Sequence, residues 1–350
     1  MREKNLEEEI KIFHEDYMKR ALDLAILGRG KTSPNPLVGC VIVKDNKIIG
    51  EGWHKEYGKN HAEIEAINDA KSKNEDIKNS TFYVTLEPCS HFGKTPPCAN
   101  RLVDEGVKEV VIAMRDPNPK VNGNGIKILT EAGIKVTELT GEIQEKAKWI
   151  NRGFIFVQKY KRPFITLKAA MSLDGKMCLD NSESKWITGI EARTESHLIR
   201  SENDAVLVGV NTVLKDDPEL TVRHVKGENP LRVILDRNNR TPLNAKIRND
   251  ENYLILNCDI KSALEVLVEK GILNLMVEGG SEVLSSFLKE GFADYAKLFY
   301  APRIFGEGKG LKLGLKFNSV KDTFKLKDVK TKILGEDILV EGRFTCSPDL

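Results

Sequence analysis

Nowhere in the 350 residues is there an apolar run approaching the roughly 18 positions that a membrane-crossing helix needs, so no membrane span is expected. The N-terminus, Met1-Arg2-Glu3-Lys4 and then Glu7-Glu8-Glu9, also lacks the apolar stretch of a secretory signal, and a cytoplasmic location is the expectation. Charge of one sign is missing too. With 54 basic and 52 acidic side chains interspersed to a net +2, there is no field to draw in a polyanion, and nucleic acid is not an expected partner. The basic cluster Lys159 to Arg162 is read as a solvated linker. Six cysteines (Cys40, Cys89, Cys98, Cys178, Cys258, Cys346) are too scattered for a disulfide framework and fit reduced thiols or metal ligands; only Cys89 and Cys98 lie close together. Internal repeats and low-complexity segments are absent. So is a Gly-x-Gly-x-x-Gly fingerprint beyond residue 163, which removes the usual signature of a dinucleotide-binding turn.

What is present is enough apolar material for real cores, 40% of residues plus 27 glycines, in a length that fits two domains of ordinary size. Phe13, Tyr17, Met18, Ala21, Leu22 and Ala25 recur at helical spacing up to Gly28 or Gly30, and the acidic residues upstream extend that helix. A hairpin is read over 37–50, turning at Lys44-Asp45-Asn46-Lys47. Helices are then expected over 61–70, 100–105 and 125–133, alternating with strands over 81–86, 107–114 and 134–139. Such alternation implies a layered α/β structure. The polar stretch at 158–163 divides the chain into domains 1–160 and 161–350. The second is also α/β: strands over 164–167, 205–210 and 232–235, a helix over 191–200, and a strand, turn and helix over 273–288.

The most informative residues are His61-Ala62-Glu63, followed by Glu87-Pro88-Cys89 and Cys98. One imidazole and two thiolates suit tetrahedral zinc and leave a fourth position for water, which is the arrangement of a catalytic site. Zinc lowers the pKa of such a water towards about 7, and Glu63 is the candidate proton carrier. Side chains two residues apart on a regular helix diverge by about 200°, so His61 and Glu63 share one ion only at a helix start, which Asn60 marks. The competing reading is a capping box, in which Glu63 merely satisfies a backbone donor. Cys40, inside an apolar strand, reads as core. Taken with Pro88-Cys89 and Cys98, the His-x-Glu pattern matches the signature of zinc nucleobase deaminases, except that eight residues rather than two separate the cysteines.

With that Cys-x8-Cys loop, and with Ser33-Pro34-Asn35-Pro36-Leu37-Val38-Gly39 and Gly50-Glu51-Gly52-Trp53-His54 upstream, the sequence resembles the deaminase half of the bifunctional riboflavin-pathway deaminase-reductases. The resemblance implies a cytidine-deaminase-like α/β/α domain with zinc on His61, Cys89 and Cys98. The implied substrate is a diaminopyrimidinone carrying a phosphoribosylamino group, whose ring amine at C2 is replaced by water. Glu63 would take the water proton and deliver it to departing ammonia. Asn35, His54 and His91 are candidate substrate contacts, each with a structural alternative: a turn residue between prolines for Asn35, packing for the histidines.

In the second half, Leu275-Met276-Val277-Glu278-Gly279-Gly280-Ser281 reads as a buried strand running through glycines into a helix, whose exposed N–H groups suit a pyrophosphate. Tight packing is the plain alternative for those glycines, and Asn122-Gly123-Asn124-Gly125 reads as a turn. Lys168-Ala169-Ala170-Met171-Ser172-Leu173-Asp174-Gly175-Lys176, Ser184-Lys185-Trp186-Ile187-Thr188-Gly189 and the span from Asp204 to Asp217-Pro218 resemble the reductase half of the same family, so the likeness covers nearly the whole chain. It implies a dihydrofolate-reductase-like α/β domain using NADPH, with Ala170, Trp186, Thr212, Asp216, Gly279 and Gly280 at the cofactor. Ser184, Arg200, Leu220, Arg223 and Glu278 would line the substrate, the two arginines taking its ribose 5-phosphate. It further implies reduction of the open-chain ribosyl carbonyl to a ribityl chain and a homo-oligomer formed through this half. Lys168 and Asp174 are open alternatives for the proton donor. Two other readings compete. A nucleoside or tRNA base deaminase with a non-catalytic binding half is disfavoured by the Cys-x8-Cys loop and the lack of a basic track. A catalytically silent zinc-stabilised sensor is disfavoured by Glu63, because a structural metal site needs no proton shuttle and has a fourth protein ligand.

Overall fold

The computed structural model describes residues 2–90, 97–119, 121–181, 183 and 186–350, with side chains from residue 14 onward. Two compact units make up the chain, Met1–Tyr160 with Leu350, and Lys161–Asp349.

In the first unit, helix α1 (Arg2–Ile26) leads into strands β1 (Gly39–Lys44) and β2 (Lys47–Trp53). The turn between the strands places Asp45 and Asn46 at φ 47° and 61°, a left-handed pair that short polar side chains tolerate and that matches the twist of a hairpin. Then follow α2 (Ala62–Ser72), β3 (Thr81–Val84), α3 (Cys98–Asp104), β4 (Glu109–Ile112), α4 (Asn124–Glu131), β5 (Lys135–Glu138), α5 (Glu142–Ile150) and α6 (Arg152–Tyr160). The sheet order is β2-β1-β3-β4-β5, antiparallel at the hairpin edge and parallel from β3 to β5. Its three central strands β1, β3 and β4 are almost wholly buried because both faces are covered. Cys40 and Ile42 point into one core with Ala66, Ile67, Leu102 and Leu129; Val41 and Val43 point into another with Met18, Leu22, Ile143 and Ala147. The result is the expected α/β/α sandwich.

The second unit is built on an eight-stranded mixed sheet. In chain order its elements are β6 (Phe164–Ser172), β7 (Cys178–Leu179), α7 (Ile190–Ser201), β8 (Ala205–Gly209), α8 (Val210–Asp216), β9 (Leu231–Leu235), β10 (Tyr253–Leu256), α9 (Ile260–Glu269), β11 (Asn274–Val277), α10 (Ser281–Lys289), β12 (Tyr295–Ala301), β13 (Gly308–Lys309), β14 (Leu326–Leu334) and β15 (Asp337–Phe344). The order β10-β9-β8-β11-β6-β12-β15-β14 is parallel as far as β12 and antiparallel for the last two strands, while β7 and β13 form a separate short ladder. This is the α/β architecture expected of the dihydrofolate-reductase-like half. Between β8 and β11 the chain leaves the sheet in opposite directions, and a crevice opens there beyond the strand ends.

Two expectations change. Residues expected as linker from 158 onward begin inside α6, which buries Phe154, Ile155 and Phe156. Arg162 is no solvated linker residue: its guanidinium grips the buried Asp294 carboxylate through Nη1 (2.5 Å) and Nη2 (2.8 Å), because that carboxylate also accepts from the Ile165 amide and needs a counter-charge. Cys40 is core as expected, and burial pushes its thiol pKa up. Among the described residues, no helix is long and apolar enough to cross a membrane.

Candidate active sites

The first site sits where α2 starts. Gly52 on β2 faces this turn, and a Cβ there would lie 2.3 Å from Ala66 N and 2.6 Å from Ala62 O, so glycine is what lets the helix rest on the strand. The helix is capped at His61 rather than Asn60, and no side chain caps it. Asn60 Nδ2 donates instead to Glu65 Oε1 at 2.9 Å. An Asn60–Glu63 capping box therefore does not form, and Glu63 is buried in the first turn with Cys98 as a side-chain partner.

His61, Cys89 and Cys98 come together, their donor atoms all within 4.8 Å of one another. His61 Nδ1 lies 3.2 Å from Cys98 Sγ and 3.5 Å from Cys89 Sγ. A nitrogen and a sulfur sharing one tetrahedral zinc, bonded at about 2.0 and 2.3 Å, stand about 3.5 Å apart, so the donor set fits the ion. Among the described residues no fourth His, Cys, Asp or Glu joins the group. Hydrogen bonding from the Cys98 thiol, and then from His61, lowers the Cys89 pKa to about 4, giving it the thiolate character of a ligand. Burial raises the Glu63 pKa, as suits a carboxyl that must carry a proton.

Asn35 and His54 adjoin this cluster, with the His54 and His61 rings 5.6 Å apart, edge to face. His54 Nδ1 lies 2.9 Å from the Asn60 carbonyl, which can only accept, so Nδ1 carries the proton. Nε2 is then the lone pair that accepts from Asn35 Nδ2 at 3.1 Å. With both ring nitrogens committed and the ring buried, His54 fixes the Asn35 amide so that its oxygen faces away from the imidazole. His91 lies outside the described residues.

The second site is a cleft of about 650 Å³ at the crevice beyond β8 and β11. Thr212, Asp216, Glu278, Gly279 and Gly280 line it together. Gly280 N donates to Thr212 Oγ1 at 3.1 Å. The packing alternative holds for Gly279, where a Cβ would meet Val283 at 2.9 Å, but a Cβ at Gly280 would meet nothing closer than Thr212 Oγ1 at 3.5 Å, so the start of α10 is open there. An open glycine turn at a helix start fits a pyrophosphate, and Lys215, Arg237 and Arg240 on the lining supply cations for further phosphate. Those three cations were missed at the sequence level, although Asp236-Arg237-Asn238-Asn239-Arg240 directly follows an apolar strand. Ala170 and Trp186 are not on this lining; Trp186 is 66% exposed, with the Arg193 guanidinium 4.4 Å over its ring. Ser184 lies outside the described residues.

Beside the cleft, Arg200 holds Glu278 in a buried bidentate pair, Nε to Oε1 and Nη2 to Oε2, both at 2.9 Å. Its Nη1 donates to Thr221 O at 2.6 Å and faces His197 Nδ1 at 3.4 Å. His197 Nδ1 also accepts from the Arg223 amide at 3.2 Å. Burial first, then the charges of Arg200 and Arg223, lower the His197 pKa to about 4, so the ring stays a neutral acceptor. Leu220 is buried at φ 54°, a left-handed conformation unfavourable for leucine, in the loop that carries Thr221 and Arg223. Asp174 accepts from Ser172 Oγ (2.6 Å), Gly306 N (2.9 Å) and Phe305 N (3.1 Å), the bonding of a structural turn residue. Lys168 is half-buried near Glu278, and desolvation lowers its pKa.

These two sites define a zinc deaminase unit and a reductase unit carried on one chain. Residues 11–114 match the family model for the cytidine and deoxycytidylate deaminase zinc-binding region, and residues 163–340 match the RibD C-terminal domain. The riboflavin biosynthesis protein RibD of Aquifex aeolicus is 44% identical over 357 residues, covering 95% of this chain and 98% of that protein. Its Escherichia coli counterpart is 37% identical over 364 residues, covering 93% and 97%. A crystal structure of a diaminohydroxyphosphoribosylaminopyrimidine deaminase/5-amino-6-(5-phosphoribosylamino)uracil reductase from Thermotoga maritima superposes with a TM-score of 0.88 at 42% identity, covering 95% of this chain and 99% of that one. The chain belongs to the family of bifunctional riboflavin-biosynthesis deaminase-reductases. It is an enzyme with two activities, using zinc for one and NADPH for the other.

Proposed function

We propose that residues 1–160 deaminate 2,5-diamino-6-(5-phosphoribosylamino)pyrimidin-4(3H)-one and that residues 161–350 reduce the ribosyl group of the product, 5-amino-6-(5-phosphoribosylamino)uracil, to ribityl. The observation that carries this is the convergence of His61, Cys89 and Cys98 with a buried carboxyl, Glu63, beside them. Those three side chains would hold zinc, which would supply a Lewis acid able to activate water near neutral pH. Glu63 then takes a proton from the attacking water and returns it to the nitrogen that leaves as ammonia. Asn35, its amide oriented by His54, offers its oxygen to a substrate N–H.

In the second unit NADPH supplies the hydride. Gly280 and Thr212 would take its pyrophosphate, and Arg237 and Arg240, on the same lining, would take its 2′-phosphate. Arg223, exposed and bonded through Nη1 alone to Glu219 and Thr221, keeps donors for the substrate phosphate. Arg200 is assigned a different part from the one expected of it, because its donors are committed to Glu278, Thr221 and His197: it shapes the substrate site and holds Glu278. Lys168, rather than Asp174, delivers the proton that accompanies hydride transfer, since Asp174 is spent on its turn. The enzyme acts on a small molecule, without nucleic acid or membrane, in the cytoplasm, as a homo-oligomer formed through the reductase unit. β14 supports that last assignment: it is an exposed sheet edge with Val329 and Ile333 53% and 68% exposed.

The test is incubation of the purified chain with the diaminopyrimidinone phosphate. Ammonia should appear with or without NADPH, and nicotinamide absorbance should fall only when NADPH is added, faster than with NADH. Ammonia release without any NADPH oxidation would refute the second half of the reading.

His197 gives a pH prediction. Its folded pKa, about 4, lies below the ordinary histidine value near 6.5, so between these values the unfolded chain binds a proton that the folded chain does not. Its contribution to stability is complete above pH 6.5 and is lost as pH falls towards 4. Urea midpoints of the second unit should therefore drop more between pH 7.5 and 4.5 in the wild type than in His197→Asn, which keeps an acceptor but cannot titrate. Equal drops would show that folded His197 protonates freely.

A further inference from the structure

Glu87 takes no part in the chemistry assigned above, yet it is 2% exposed and its carboxylate forms no ion pair among the described residues. Its charge is met by backbone instead. Oε1 accepts from Gly125 N at 2.9 Å and Ile126 N at 3.3 Å, and Oε2 accepts from Gly123 N at 3.0 Å and Asp116 N at 3.3 Å. Two of these donors belong to the first turn of α4, where free N–H groups and the helix dipole favour a negative charge. Closeness is enforced at Gly125, where a Cβ would lie 2.1 Å from the Pro88 carbonyl oxygen. The turn Glu87-Pro88-Cys89 is thus clamped to α4 on one side. On the other, the Cys89 carbonyl accepts from Ala99 N at 3.2 Å and its Sγ from Cys98 N at 3.3 Å.

We infer that Glu87 is a positioning residue of the metal centre: by gripping four backbone N–H groups between Asp116 and Ile126, it fixes the turn that presents Cys89 Sγ to His61 Nδ1 and Cys98 Sγ. The Asn122-Gly123-Asn124-Gly125 turn, otherwise without a role, becomes the seat of that carboxylate. The inference rests on the reading of His61, Cys89 and Cys98 as zinc ligands. Its physical basis is that a ligand held by a turn with two anchors returns to the ion after each partial dissociation, whereas a turn with one anchor can swing away. Outer partners of metal ligands typically govern affinity by about 10- to 100-fold.

The test is the rate at which the full-length zinc-loaded protein releases its ion to 4-(2-pyridylazo)resorcinol. Glu87→Gln replaces an acceptor oxygen by an amide group facing backbone donors and should speed release by about 10- to 100-fold. Gly125→Ala, which leaves the carboxylate intact but pushes α4 off the turn, should act in the same direction, and it carries the test if Glu87→Gln does not fold. Leu129→Ala removes a fully buried side chain from the same helix and serves as the control, expected to lower the thermal midpoint without speeding release. The idea is overturned if Glu87→Gln and Gly125→Ala release zinc at the wild-type rate, or if Leu129→Ala releases it as fast as they do. A wild-type protein that holds no zinc would instead sink the ligand assignment, a distinguishable outcome.

Discussion

Replacing Glu63 by glutamine is expected to slow ammonia release by about 10²- to 10⁴-fold while leaving one zinc per chain bound. Glutamine fills the same buried space but cannot accept a proton from water or hand one to the leaving nitrogen, and it adds no charge beside the ligands. Because the carboxyl is not among the three converging donor atoms, metal content should not change. Oxidation of NADPH with pre-deaminated substrate should proceed at the wild-type rate, since every residue assigned to that reaction belongs to the other unit. Elemental analysis, an ammonia assay and the nicotinamide absorbance check the three parts. A fall of less than 10-fold would remove Glu63 from proton transfer.

Arg200→Ala should produce the largest loss of stability of any single truncation at the reductase site, about 3–5 kcal/mol in the unfolding of the second unit. The substitution strands the Glu278 carboxylate, 10% exposed in its side chain, without the guanidinium that meets both of its oxygens. It also frees the Thr221 carbonyl and one of the donors to His197. Adding Glu278→Gln in the same chain should recover much of the loss, because the stranded charge rather than the missing contact carries most of it. Denaturant midpoints of the second unit, followed by loss of NADPH binding, measure both. A loss below about 1 kcal/mol would mean that the pair behaves like an exposed surface ion pair.

Several residues show how far the sequence could be read. His61, Cys89 and Cys98 stood out in the sequence because zinc chemistry restricts ligand types so sharply, and the fold brings their donor atoms within 4.8 Å of one another. Local pattern could not separate Glu63 the proton carrier from Glu63 the capping residue, since Asn60 and Glu63 satisfy both rules; in the fold the helix is capped one residue later, at His61. Lys168 and Asp174 were equal candidates until the carboxylate was found bonded to Phe305 and Gly306, residues 131 and 132 positions away. Arg162 read as solvent-exposed because its neighbours are polar, and only contact with Asp294 buries it. The lining arginines Arg237 and Arg240 carried a weak signal, two cations just past a strand end, that no local rule assigns to a phosphate.

By itself, then, the order of amino acids determined the α/β class and the two chemistries, because each follows from residue type and short spacing. Which carboxylates and guanidiniums are free to act was decided only in three dimensions. Glu87, Asp174, Arg200 and His54 look available in the sequence and are already committed in the fold, and their partners lie on segments that only packing brings near. The reason is that a buried polar group must find its hydrogen bonds wherever the chain supplies them, and that supply is a property of the tertiary structure.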